Sequence, residues 1–316
     1  MSKRILTYII LAAAALLASC TKNTVDLPGS RFISFAPVAE KSTKAIIEGT
    51  TYPTTESFAV SAYHGGSDAY FEDLVASYNS SITLWETSTA EYWPLAGSLT
   101  FNAYSPSSAS GVTIDSDGVS ATSYTIQTST QMTTDLCYAS ATVADCENHP
   151  ESVDLVFSHA LSQVVFRVKA AAKYSGVSLS MNSLSLSGLY SVGNFSAGTW
   201  SSHSSPYTYT LSNSVVPLTY TGDEPDVTTI STYLFLPQTF SAEAAINVGY
   251  SIVQTVAGET YTLDNPPVAI PLKGTLTQWQ PGKKYIYTLS IGMNNLITFT
   301  ASTYGWSEEE VGFAVE

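Results

Sequence analysis

Apolar residues recur at every second position along most of the chain. "SFAVSAY" puts Phe58, Val60 and Ala62 on one face, "SLTFNAY" does so with Leu99, Phe101 and Ala103, and "VDLVF" with Val153, Leu155 and Phe157. "SQVVFRVKA" turns Val164, Phe166 and Val168 one way and Arg167 and Lys169 the other. "INVGYSI" aligns Ile246, Val248, Tyr250 and Ile252, and "KYIYTLSIG" aligns Tyr285, Tyr287, Leu289 and Ile291. A period of two belongs to antiparallel strands with one buried face. Beyond the N-terminal segment no long stretch repeats at helical spacing, so long helices are not expected. "IDSDGVS" reads as a hairpin turn, and "YTGDEPDV" and "LDNPP" as breaks. In "SLSMNSLSLSGL" the apolar phase slips from Leu179 and Met181 to Leu184 and Leu186, as at a β-bulge.

Short strands separated by regular turn signals predict an all-β protein built of sandwiches. About 270 residues follow Lys44, too many for one ordinary sandwich. Two in tandem are expected, at 45–152 and 153–316, with the Pro-containing acidic run "CENHPESVD" as the linker. No internal repeat is visible.

The first twenty residues differ. Lys3 and Arg4 precede an apolar run from Ile5 to about Ala18, which ends in "LLASC". This is a signal peptide over 1–19, and Leu17-Ala18-Ser19-Cys20 matches a bacterial lipobox with Cys20 as the acylated residue. Several acyl chains would hold the protein firmly to a bilayer. Thr21 in place of Asp favours the outer membrane. An ordinary secretory peptide with a chance cysteine is the alternative.

Charge and chemistry narrow the function. The formal net charge is −14. No Lys or Arg occurs from Ala45 through Phe166, a span with 14 Asp and Glu. Such a surface repels phosphate backbones, so nucleic-acid binding is not expected. No nucleophile elbow, zincin, phosphate-loop or dinucleotide motif is present, and no enzyme activity, cofactor or metal is expected. The four His, at 64, 149, 159 and 203, lack metal-ligand spacing, and His159 reads as a hydrogen-bonded structural residue. Asp115 and Asp117 fit a tight hairpin better than a calcium loop. Asp68, Glu72 and Asp73 could pair carboxylates but read more simply as surface acids. In an exported, oxidising setting Cys137 and Cys146 are candidates for a disulfide or for two buried thiols.

Together the motifs resemble the fimbrillin family of Bacteroides-type bacteria. They are, in order, "LLASC", "ISF" followed by "TKA", "FAVSAY", "YWPLAGSLTFNAYSP", "DLCYA", "VDLVFSHALSQVVFRV", "YLFLPQT", "GKKYIYTLSI" and "ITFTASTYGWSEEE". Cys137 departs from the large apolar residue usual in the "DLxYA" position. The resemblance implies a lipoprotein of the outer membrane and cell surface with two transthyretin-like β-sandwiches. It further implies a structural or accessory subunit of fimbriae, assembled with other subunits by β-strand addition.

In that scheme 20–44 is a lipidated pro-segment. Its strand "FISF", with Ile33 and Phe35 toward the core, is removed when a trypsin-like protease cuts Lys44–Ala45. The vacated groove receives a donor strand, for which Val311, Phe313 and Val315 in the C-terminal "VGFAVE" alternate suitably. The alternatives are an uncut first strand followed by a loop, and a tail that pairs within its own domain. A further reading is a monomeric outer-membrane lipoprotein that binds a glycan or host protein through some of its 20 Tyr and 5 Trp. A host or bacterial surface ligand is the partner it would take.

Overall fold

A computed structural model of the chain describes residues 31–39, 52–274, 276–293 and 297–306. All strands lie within one unit, Ile33–Glu316. The first nine are β1 (Ser34–Ala39), β2 (Phe58–His64), β3 (Asp68–Asn79), β4 (Leu84–Thr87), β5 (Leu99–Ser105), β6 (Val112–Asp115), β7 (Gly118–Thr125), β8 (Cys137–Val143) and β9 (Val153–His159). Then follow β10 (Ser162–Ala170), β11 (Val177–Ser196), β12 (Thr199–Ser212), β13 (Val216–Leu218), β14 (Tyr220–Thr221), β15 (Glu224–Pro225), β16 (Thr228–Phe235), β17 (Ala245–Val256), β18 (Glu259–Pro271), β19 (Lys283–Ile291) and β20 (Ile297–Gly305). The one helical piece among the described residues is a 3₁₀ turn at Gln131–Thr133. The protein is all-β, as the period of two predicts.

Seven strands close a ladder on themselves in the order β1-β4-β3-β2-β5-β8-β9. Their inward residues form one core with Phe35, Phe58, Phe101 and Phe157 at its centre. A second core lies between a four-stranded sheet, β16-β10-β19-β20, and a larger sheet running β18-β17-β11-β7-β6. β11 is the spine of that larger sheet. Its 20 residues pair with β17 and then β7 along one edge, and with β13 and then β12 along the other. The register between β11 and β17 slips between Met181 and Ser183. Leu179, Met181, Leu184 and Leu186 all stay buried across the slip. One extra residue keeps both halves of a long strand facing the same core. The "DSDG" hairpin is also present: Asp115 pairs with Gly118, and Asp115 Oδ1 accepts the Asp117 N–H at 2.9 Å.

Three features depart from the sequence reading. Among the described strands two pairings are parallel, β1 with β9 and β10 with β19, although a period of two suggested antiparallel neighbours throughout. Alternation reports which face is buried, not strand direction. The sheets also do not change at 152/153. β9 joins β1 and β8 in the first barrel, while β6 and β7 leave it to pair with β11. "CENHPESVD" is thus no linker: it joins β8 to β9, with Cys146 buried and His149 stacked on Trp93 (centroids 4.8 Å apart, planes 5° apart).

Candidate functional site: the first strand and its seat

β1 closes the barrel. On one side it meets β4 through two residues, Ser34 opposite Glu86 and Phe35 opposite Trp85. On the other it runs parallel to β9, from Phe35 opposite Val153 to Ala39 opposite Phe157. Beyond Phe35, among the described residues, it has a paired neighbour on one side only, where Pro37, with no N–H to donate, is tolerated. Ile33 (2% exposed) and Phe35 (0%) point into the core. The Phe35 ring stands edge-on to Phe58 and Phe101, with centroids 5.6 and 5.7 Å away. Polar ties are few. The Ile33 N–H donates to Glu91 O at 2.8 Å, and the Ser34 hydroxyl donates to Glu151 O at 3.0 Å. Val38 of β1 and its register partner Val156 of β9 are both exposed.

Cys20, Lys44, Ala45, Val311, Phe313 and Val315 lie outside the described residues. Cys137 and Cys146 are buried and not bridged, which overturns the disulfide alternative. Cys137 opens β8 opposite Ser105, whereas Val143 ends it opposite Leu99. Cys146 follows there, its N–H donating to Gly97 O at 2.9 Å. Seven extended residues span about 20 Å, and a disulfide needs its Cα atoms within roughly 7 Å.

A polar cluster that sequence spacing concealed lies where β8 and β9 meet. Cys137 and His159 are register partners, and Asp135 precedes β8. Imidazole, thiol and carboxylate atoms lie within 4.8 Å of one another, all buried, a donor set that zinc accepts. The contacts read otherwise. Asp135 Oδ2 is 2.6 Å from His159 Nδ1, hydrogen-bond distance, and Cys137 Sγ is 3.4 Å from the same nitrogen. A thiol–imidazole–carboxylate relay would place thiol and carboxylate on opposite ring nitrogens. Burial, and then the Asp135 charge, push the Cys137 thiol well above its ordinary range, which disfavours a free nucleophilic thiolate. Trp306 stacks on His159, with centroids 4.0 Å apart and planes at 8°. The cluster therefore ties the end of β9 to the residue that follows β20. His159 is a hydrogen-bonded structural histidine, as its strand context suggests.

The closed ladder, with β1 as the strand that closes it, and the second two-sheet core define an all-β protein with two cores. Residues 43–306 match the sequence profile described as fimbrillin-like. The chain belongs to the fimbrillin-like family. Among solved structures it is similar to a fimbrial protein from Bacteroides vulgatus (19% identity, TM-score 0.63, covering 86% of this chain and 99% of that one). It is also similar to two proteins described as candidate cell adhesion proteins. One is from Bacteroides uniformis (16% identity, TM-score 0.52, 88% and 100% covered) and one from Bacteroides ovatus (17%, 0.51, 88% and 99%). At these identities the likeness is one of fold. A comparison with curated protein sequences gives no match.

Proposed function

We propose that this chain is a structural or accessory subunit of cell-surface fimbriae, exported as an outer-membrane lipoprotein through Cys20 and assembled by strand exchange. The observation that carries the reading is the seat of β1. It is a short strand with two core-facing anchors, two register partners on β4 and a parallel neighbour in β9. Lifting it would open the barrel between β4 and β9 and expose a ladder edge lined by an apolar groove. Such an edge gains affinity from main-chain hydrogen bonds and specificity from alternate side-chain pockets. Membership of the fimbrillin-like family supports a place on the cell surface among other such subunits, in a role that is not enzymatic.

In the finer scheme a trypsin-like protease cuts after Lys44 and frees the 20–44 segment. Val311, Phe313 and Val315 of a neighbouring subunit then enter where Ile33 and Phe35 were. Burial of one Phe side chain contributes roughly 1.5–3 kcal/mol.

N-terminal sequencing of the protein from intact cells tests the first step. Ala45 at the new N-terminus is expected, and a lipid-blocked Cys20 on all of the surface protein would favour the monomeric lipoprotein. Phe313→Asp tests the second: filaments should vanish from negative-stain images although cleavage proceeds. Wild-type filament yield from that variant would rule out the tail as donor.

A further inference from the structure

The second core carries a cleft that strand exchange does not use. Its volume is about 530 Å³, within the range of small-molecule sites. Tyr190 of β11 and Trp200 and His203 of β12 supply rings, and Gln238, Gln278 and Gln280 supply amides. The remaining lining residues are Gly, Thr, Pro and a second Trp, so among the described residues the wall holds no carboxylate, Lys or Arg.

The wall is rigid. The Gln238 amide is fully engaged: Oε1 accepts the Tyr190 N–H at 2.8 Å, and Nε2 donates to Tyr190 O at 3.0 Å and Leu236 O at 3.2 Å. Segments 238–240 and 277–279 are bridged by backbone hydrogen bonds. Trp200 Nε1 donates to Ala160 O at 2.6 Å, and the indole packs against Tyr124 and Phe195. His203 Nε2 lies 2.7 Å from Pro237 O. A carbonyl only accepts, so Nε2 carries the hydrogen and donates it. Gln278 and Gln280 are exposed and extend from this frame.

We propose that this cleft binds a neutral oligosaccharide. Flat ring faces suit the C–H faces of a pyranose. Amides present a donor and an acceptor side by side, which matches vicinal hydroxyls. An anionic ligand would call for Arg or Lys, and the wall has neither. Rings and backbone already held in place lose little freedom on binding. The inference rests on no part of the strand-exchange reading.

The test titrates the chain lacking its export segment with millimolar mannotriose, chitotriose, xylotriose and galactotriose. Tryptophan fluorescence and saturation-transfer NMR are followed, with triserine as a peptide probe. At least one trisaccharide should bind saturably. The double variant Gln278→Ala/Gln280→Ala should weaken that binding about tenfold, as loss of one or two hydrogen bonds implies, with an unchanged melting temperature. No saturable binding by any trisaccharide overturns the proposal. So does binding that the double variant leaves unchanged, or triserine binding as well as the best sugar.

Discussion

The seat of β1 can be tested without any filament. Phe35 is fully buried and meets two aromatic rings edge-on. Phe35→Ala removes the ring and leaves a cavity between Phe58 and Phe101. Truncations of this kind cost about 3–5 kcal/mol, because the lost transfer energy and the unfilled space add. The two edge-on contacts, each worth about 0.5–1.5 kcal/mol, place this site toward the upper end. Val38, three residues along the same strand, is 36% exposed, so Val38→Ala should cost about 1 kcal/mol or less. Equilibrium urea unfolding of both variants decides the matter. Trp85 and Trp93 sit in the first core and report its loss by fluorescence. With a slope of about 1–3 kcal/mol per molar urea, Phe35→Ala should lower the midpoint by roughly 1 M or more, and Val38→Ala far less. Equal costs for the two variants would refute the reading of β1 as a strand anchored by its inward face. A gain in binding of a hydrophobic dye by Phe35→Ala below its midpoint would show β1 lifting before the barrel melts.

Other consequences follow from buried groups. Neither Cys137 nor Cys146 should react with a thiol reagent until denaturant is added, and air oxidation should not change the mass; rapid labelling of the folded protein would contradict the burial and raised Cys137 pKa. His159→Ala should cost about 1–3 kcal/mol because it removes the hydrogen-bond partner of the buried Asp135 side chain, and Asp135→Asn, which keeps a hydrogen-bonding side chain there, should cost less by thermal unfolding. Burial raises Tyr52, Tyr209 and Tyr287, and lifts Tyr124 to about 12. Groups raised in the fold keep their full stabilisation below the unfolded value near 10 and lose it as pH climbs through the folded values. Tyrosinate absorbance from these side chains should therefore appear together with loss of the fold above about pH 10–12, and a smooth titration with the circular dichroism intact would count against it.

The strands and their faces were legible in the chain alone. Val153, Leu155 and Phe157, or Tyr285, Tyr287 and Leu289, are buried because a pleated chain turns every second side chain the same way. Ile33 and Phe35 were legible for the same reason, as was the bulge near Asn182, since a slip in phase is itself a local signal. Partners were not legible. Which strand lies beside which depends on contacts far apart in sequence, so β9 could be read as opening the second half when it closes the first barrel beside β1. Likewise, nothing in the run from Gly111 to Thr125 announces that its hairpin crosses to β11. The Asp135–Cys137–His159 cluster exists because two strands align Cys137 with His159, and no spacing along the chain encodes that register. The cleft between β11, β12 and the loop before β19 is equally a product of tertiary structure. Its Tyr190, Trp200 and Gln278 come together only once both sheets have closed on their core.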